Sequence, residues 1–162
     1  MKTFKIGGVH PQENKLSAGS KIQKVALPTQ AIIPLDQHLG APATPIVTVG
    51  DTVKVGQLIA TATGFISANI HASVSGKVTK IDTFVDAWGK RSPAITIDVE
   101  GDEWADDIIT SKEINRICKL SKEEIITKIK KAGIVGLGGA CFPTHIKLTP
   151  PPGKTAEVLI IN

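Results

Sequence analysis

Apolar and polar residues alternate in short runs through the first two thirds of the chain, as in β-strands with one buried face. Turn signals separate the runs, at Gly50-Asp51, Gly56, Gly64, Ser75-Gly76 and Gly89. The alternating apolar positions are Val47, Val49, Val53, Val55, Ile66, Ile70, Val78, Ile95, Ile97 and Val99. This pattern predicts an all-β domain over residues 31–100, preceded by a turn-rich segment over residues 1–30.

The spacing of apolar residues becomes helical in the last third. Ser111 and Ser121 are predicted helix N-caps, and Glu124 completes a capping box with Ser121. Gly133 is a natural residue to end that helix. One apolar face is predicted from Ile125, Ile126, Ile129 and Ala132.

The final residues, 157–162, read EVLIIN and predict a buried strand. A domain seldom ends on a core strand, so we expect the chain to be the front piece of a longer protein. The predicted fold class is α+β, with the β domain followed by the start of an incomplete α/β domain over residues 108–162.

Composition narrows the classes of function. Of 162 residues, 41% are hydrophobic and 4% aromatic, and the net charge is +4 without a basic block. These values favour a globular protein and argue against nucleic-acid binding. The sequence has neither a long apolar run nor a signal-peptide core. Cys118 and Cys141 have no zinc spacing and are interpreted as reduced thiols.

Candidate metal ligands are few. The acidic stretch over residues 98–107 could hold a cation, but it lacks the EF-hand positions, and a solvated junction between domains is favoured. The histidines are scattered and are interpreted as structural residues rather than ligands: His10, His38, His71 and His145.

Residues 49–81 resemble the biotinyl/lipoyl carrier fold, a small barrel-sandwich hybrid. Carriers of that fold attach their cofactor to a lysine at the tip of a hairpin, which here falls near Gly64, Phe65 and Ile66. No lysine lies between Lys54 and Lys77. The barrel is therefore predicted to carry neither biotin nor lipoate and to serve in docking or spacing.

Four glycines occupy the first seven residues of the stretch 133–148, GIVGLGGACFPTHIKL. A P-loop is excluded because no Gly-Lys-Ser/Thr follows, and a dinucleotide fingerprint fits only as far as Gly138. The remaining alternatives are a tight structural loop and a bare backbone that lies against a flat ring or a phosphate. Lys147 could then neutralise an anion.

The same stretch resembles the flavin loop of the NADH-oxidising subunit of respiratory complex I. It is still more similar to that of the C subunit of the Rnf electron transport complex, G-I-V-G-L-G-G-A-G-F-P-T-H-x-K-L. Two further stretches resemble that family, GGVHPQENK at 7–15 and IPLDQHLGAPATPIVTVGDTVKVGQ at 33–57.

The resemblance implies a subunit that binds FMN and NADH at the cytoplasmic face of a bacterial membrane complex. That complex couples electron transfer between NADH and ferredoxin to Na⁺ or H⁺ translocation, and two [4Fe–4S] clusters lie near the family's C-terminus. No residue is assigned as a catalytic acid, base or nucleophile. The cofactor-binding residues that the resemblance implies are Gly136, Gly138, Gly139, Phe142, Lys147 and Asn162.

One position departs from the family pattern. Cys141 replaces a glycine, which would crowd the loop if the position needs a positive φ. The cysteine set of an iron–sulfur cluster is absent from the sequence. The alternative hypothesis is a non-catalytic docking module of a larger redox complex that has lost flavin binding.

Overall fold

The computed structural model describes Gly8, residues 11–86, residues 89–158 and Ile160. Residues 11–29 form turns and irregular backbone and are exposed. The described residues then form strands and two helices: β1 Gln30–Pro34, β2 Thr44–Pro45, β3 Thr52–Val53, β4 Leu58–Thr61, β5 Ile70–His71, β6 Gly76–Val85, β7 Arg91–Val99, α1 Lys122–Lys131 and α2 Thr144–Lys147.

Two antiparallel sheets make up the β domain. The larger sheet has the order β1-β7-β6-β3, and the smaller has the order β2-β4-β5. The long strands β6 and β7 pair from Gly76 opposite Val99 to Val85 opposite Arg91, with one register shift between Val78 and Lys80. These two sheets, followed by two helices, confirm the predicted α+β fold class.

The core of the β domain contains most of the alternating residues that the sequence pattern singled out, but not Val49, which is exposed, or Ile66. Val53, Val78, Ile95 and Ile97 are fully buried. Other members come from segments that the pattern did not mark as strands, including Ile59 in β4. Val47, Val49 and Ile66 were predicted in strands but lie outside them: Val49 is in the turn between β2 and β3, and Ile66 is in the bend between β4 and β5.

The acidic stretch 98–107 lies against the barrel. The Val55 amide donates to the Glu103 carbonyl at 2.8 Å, and the Ala105 amide donates to the Val55 carbonyl at 2.9 Å. Lys54 also forms an ion pair with Glu103 at 2.8 Å. The stretch has mostly exposed side chains, as predicted, but its backbone is attached to the barrel.

One predicted element of the last third is wrong, and a second is not formed in the residues that the structure describes. Ser111 caps no helix: its hydroxyl accepts only from the Glu113 amide, and residues 109–120 have no regular structure. The terminal strand does not form in its described residues, since Glu157, Val158 and Ile160 are exposed and outside any strand. A strand needs a hydrogen-bonded neighbour, and the described residues supply none there.

Candidate flavin-loop site

Helix α1 leads directly into the glycine stretch, and both of its ends were predicted correctly. The Ser121 hydroxyl accepts from the Glu124 amide at 3.2 Å, and the Glu124 carboxylate accepts from the Ser121 amide at 2.7 Å. That backbone hydrogen bond is the main cause that lowers the pKa of Glu124. The helix ends at Ala132, and Gly133 follows with φ +65°.

The glycine segment, residues 133–148, begins as a narrow hairpin. Val135 and Pro143 form an antiparallel bridge. The Gly136 amide donates to the Phe142 carbonyl at 3.0 Å, and the Thr144 amide donates to the Ile134 carbonyl at 3.0 Å. These bonds leave residues 137–141, the glycine turn, at the apex of the hairpin.

The glycines of this segment differ in what surrounds them. A β-carbon at Gly138 or Gly139 would meet no atom within 4 Å, whereas one at Gly136 would lie 2.8 Å from the Lys147 ammonium nitrogen. The structure therefore brings Lys147 across the backbone of Gly136 and leaves the two following glycines uncovered. An uncovered backbone beside a cation is suited to a planar, anionic ligand.

Cys141 closes the glycine turn in a left-handed conformation. Its φ is +50°, the only positive value at a described residue other than glycine. The Cys141 amide donates to the Gly138 carbonyl at 3.3 Å. The position at which the sequence departs from the family pattern thus has the backbone conformation that favours glycine, and the cysteine side chain adds strain there.

Helix α2 carries Lys147 and anchors the segment. Pro143, which precedes the helix, is fully buried, and the side chain of His145, a residue of the helix, is buried too. Burial is the main cause that lowers the pKa of His145, and nearby Lys130 lowers it further. Phe142 is half-buried beside the turn. Asn162, the last of the predicted cofactor-binding residues, lies outside the described residues.

Two barrel residues that were not predicted as site residues contact the end of α1 and the glycine turn. The Leu39 amide donates to the Ala140 carbonyl at 2.9 Å. The Asn69 side-chain amide donates to the Lys131 carbonyl at 3.1 Å. Both residues lie in stretches with a family resemblance, but no sequence pattern marks either one as a contact of this region, and only the tertiary structure reveals that role.

The described residues contain neither a membrane-spanning helix nor a cluster of metal ligands. No helix in this part of the chain is long and apolar enough to cross a membrane. Across the same residues, no group of three or more histidine, cysteine, aspartate or glutamate side chains could hold a metal ion.

Two family models match the chain, one for each part of the fold. Residues 2–102 match the RnfC barrel sandwich hybrid domain. Residues 129–162 match the Nuo51 FMN-binding domain, which covers the glycine segment. The match to the first model extends over the whole β domain.

Curated relatives carry related names. The chain is 46% identical over 164 residues to the C subunit of the proton-translocating ferredoxin:NAD(+) oxidoreductase complex of Clostridium ljungdahlii, covering 100% of this chain and 35% of the relative. It is 41% identical over 161 residues to the C subunit of the Na(+)-translocating complex of Acetobacterium woodii, covering 99% and 36%. The C subunit of the ion-translocating oxidoreductase complex of Rhodobacter capsulatus is 41% identical over 167 residues, covering 100% and 31%.

The chain thus spans about a third of the length of these curated relatives. The barrel, the glycine segment and the sequence similarity point to the same family, as the sequence motifs predicted. This chain belongs to the RnfC family.

Proposed function

We propose that this chain is part of a subunit that transfers electrons between NADH and iron–sulfur clusters through FMN, within a membrane-bound ferredoxin:NAD oxidoreductase complex. The observation that carries the proposal is the uncovered glycine turn with Lys147 lying across Gly136. The match of residues 129–162 to an FMN-binding domain supports it independently.

The residues present fit a flavin mononucleotide. Gly138 and Gly139 leave open space where a side chain would otherwise stand. A flat ring can therefore lie against their backbone, and exposed Lys147 can supply positive charge beside it. Phe142 is proposed to lie where a nicotinamide approaches. Asn162 is proposed to contribute to the same pocket.

Bound FMN would supply the redox chemistry, since it accepts two electrons as a hydride and releases them singly. The role of this chain's own residues is binding and orientation. The chain's two cysteines do not make a cluster-binding set, so the [4Fe–4S] clusters are proposed to be held by further parts of a complete subunit.

We further propose that the subunit attaches peripherally to other subunits at the cytoplasmic face of the bacterial membrane. Ferredoxin is then an indirect partner. The named relatives differ in their coupling ion, one proton-translocating and one Na(+)-translocating, so the proposal includes either ion.

We also propose that the chain divides into an N-terminal segment over residues 1–30, the barrel over residues 31–100 and the FMN-binding part over residues 108–162. The barrel and the FMN-binding part are then separate units.

The decisive test is a flavin fluorescence titration of the complete subunit and its Gly138→Val variant. A β-carbon at Gly138 meets nothing within 4 Å, and the φ of this residue is not positive, so the protein itself can accept valine there. Loss of FMN binding with unchanged thermal unfolding is expected, because the side chain would occupy the space of the ring. Binding as tight as in the wild type would favour the docking-module hypothesis instead.

A second variant tests the charge. Lys147→Ala should weaken FMN binding by about 1–3 kcal/mol, the range for losing one charge-assisted contact. Lys122→Ala is the matched control. Lys122 begins α1, at the end of that helix away from the glycine segment, so this variant should bind FMN as the wild type does. Equal affinities of the two alanine variants would remove Lys147 from the proposed site.

A further inference from the structure

We propose that Asn69, on the barrel, is a positioning residue that sets the glycine turn in place for FMN. This inference rests on the proposed function. Asn69 lies in the connection between β4 and β5, the barrel hairpin of residues 62–69, which corresponds to the hairpin that bears the cofactor in biotinyl and lipoyl carriers. In this chain the hairpin contacts the end of α1 and the start of the glycine segment instead.

Asn69 contacts the entrance of the glycine segment in two ways. Its side-chain nitrogen donates to the Lys131 carbonyl at 3.1 Å, a group in the last helical turn that has no partner within the helix. Its own carbonyl oxygen lies 2.2 Å from where a β-carbon of Gly133 would stand. Glycine is therefore required at 133 for this approach, in addition to its positive φ.

The side-chain amide of Asn69 uses both of its ends. Its oxygen accepts from the Ala62 amide at 3.0 Å, across the barrel hairpin, while its nitrogen donates to α1. Only a side chain with an acceptor and a donor can make both bonds. Aspartate has nearly the same shape but no donor, and its carboxylate would repel the Lys131 carbonyl.

A second tie starts beside Asn69. The amide of Ala68 donates to the ring nitrogen Nε2 of buried His38 at 2.9 Å, and this bond holds the loop that follows β1. In that loop the Leu39 amide donates to the Ala140 carbonyl at 2.9 Å, within the glycine turn itself. The end of the barrel hairpin thus holds the segment at its entrance and, through His38 and Leu39, at its apex.

The matched pair of variants is Asn69→Asp and Gln37→Glu in the complete subunit. Gln37 also donates its side-chain amide to a backbone carbonyl, that of Pro34 at 2.8 Å, but this bond stays within the barrel. For Asn69→Asp we expect about tenfold weaker FMN binding, the loss of one hydrogen bond with its partner left unsatisfied. The visible circular dichroism of the bound flavin should also change, because the turn that orients the ring has shifted.

Hydrogen exchange without FMN provides a readout that does not depend on the cofactor. In Asn69→Asp the amides of Gly136 and Cys141 should exchange several-fold faster, while those of Ile95 and Ile97 in the barrel core stay unchanged. Gln37→Glu should leave all four amides and the FMN affinity as in the wild type. A uniform increase across the barrel in Asn69→Asp would mean a general structural role and would overturn the inference.

Gly133→Ala covers the case in which Asn69→Asp does not fold, with Gly153→Ala as its control. Both glycines have positive φ, but a β-carbon at Gly153 meets nothing within 4 Å. Only Gly133→Ala should weaken FMN binding. If the wild-type subunit binds no FMN, the proposed function fails and exchange alone judges the positioning role; if it binds and both Asn69→Asp and Gly133→Ala bind equally well, only the positioning role fails.

Discussion

Gly76 of the barrel and the glycines of the glycine turn serve opposite purposes. In the barrel, a β-carbon at Gly76 would lie 2.0 Å from the Asp98 carbonyl oxygen, so glycine allows two backbones to approach. In the segment, β-carbons at Gly138 and Gly139 would meet nothing. The first use of glycine builds the fold and the second leaves a surface uncovered, and uncovered backbone is what a cofactor-binding turn requires.

The two regions also differ in how they bury apolar side chains. The barrel has a continuous core, whereas α1 has no buried residue. Three of the four residues of the predicted apolar face of α1 line an open groove of about 360 Å³. Apolar residues of the groove are Cys118, Leu120, Ile125, Ile129, Ala132 and Ile134. Local hydrogen bonds and caps therefore contribute more to the second region than core packing does.

The largest effect should come from a glycine of the barrel. Gly76→Ala forces a β-carbon into the Asp98 carbonyl at a positive φ, and we expect it to destabilise the chain by about 3–5 kcal/mol. Gly139→Ala also has a positive φ but open space, and should cost about 1 kcal/mol. Urea unfolding of both variants measures the difference. Similar costs would show that the two kinds of glycine are equivalent.

Truncation of isoleucine compares the packing of the two regions. Ile97→Ala removes a fully buried side chain and should cost about 2–4 kcal/mol through the cavity left behind. Ile129→Ala on half-exposed α1 should cost less than about 1 kcal/mol. Thermal and urea unfolding of the isolated chain provide the measurement. A larger loss for Ile129 would mean that α1 is packed as tightly as the barrel.

Cys141→Gly should sharpen the picture of the glycine turn. Removing the side chain at φ +50° relieves about 1–2 kcal/mol of left-handed strain, and the added freedom of glycine in the unfolded chain offsets part of it. A net gain of up to about 1 kcal/mol is expected. The exchange rate of the residue 141 amide, corrected for the intrinsic rate of its residue type, measures this gain. It is compared among the wild type, Cys141→Gly and the control variant Cys118→Gly. Faster exchange in Cys141→Gly would contradict the strain assigned here.

The smallest effect concerns pH and involves one histidine from each region. Burial lowers the pKa of His71 in the barrel, with Asp107 opposing, and also lowers the pKa of His145 in α2. The unfolded chain therefore binds protons more readily than the folded chain. The two neutral histidines therefore contribute to the free energy of unfolding. Their contribution is fully present above the unfolded pKa near 6.5 and is lost as the pH falls through the folded pKa values.

Unfolding measured at about pH 7.5 and about pH 5.5 should show lower stability at the acidic value, and His71→Gln should reduce that difference in the barrel. His145→Gln should do the same for exchange of the α2 amides. A pH dependence that survives both substitutions would place its origin in other groups.

Local sequence patterns predicted the parts of the fold whose cause lies within a few residues. Strict alternation placed Ile95 and Ile97 in the core, and the capping box of Ser121 and Glu124 started α1 where predicted. The same logic failed at Ser111, because a hydroxyl with a suitable spacing forms a turn as readily as a helix start when no packed face follows. Glycine content and family resemblance marked the segment around Gly138 as a candidate flavin loop.

The sequence by itself determined that a β domain precedes helix α1, that the barrel hairpin has no carrier lysine and that α1 ends before Gly133. Only the tertiary structure decided that Lys147 lies across Gly136, that Cys141 takes a positive φ and that Asn69 joins the barrel to α1. The physical reason is distance along the chain. Periodicity and caps depend on neighbours within one or two turns, whereas contacts such as that of Asn69 with Lys131 arise only when distant segments pack.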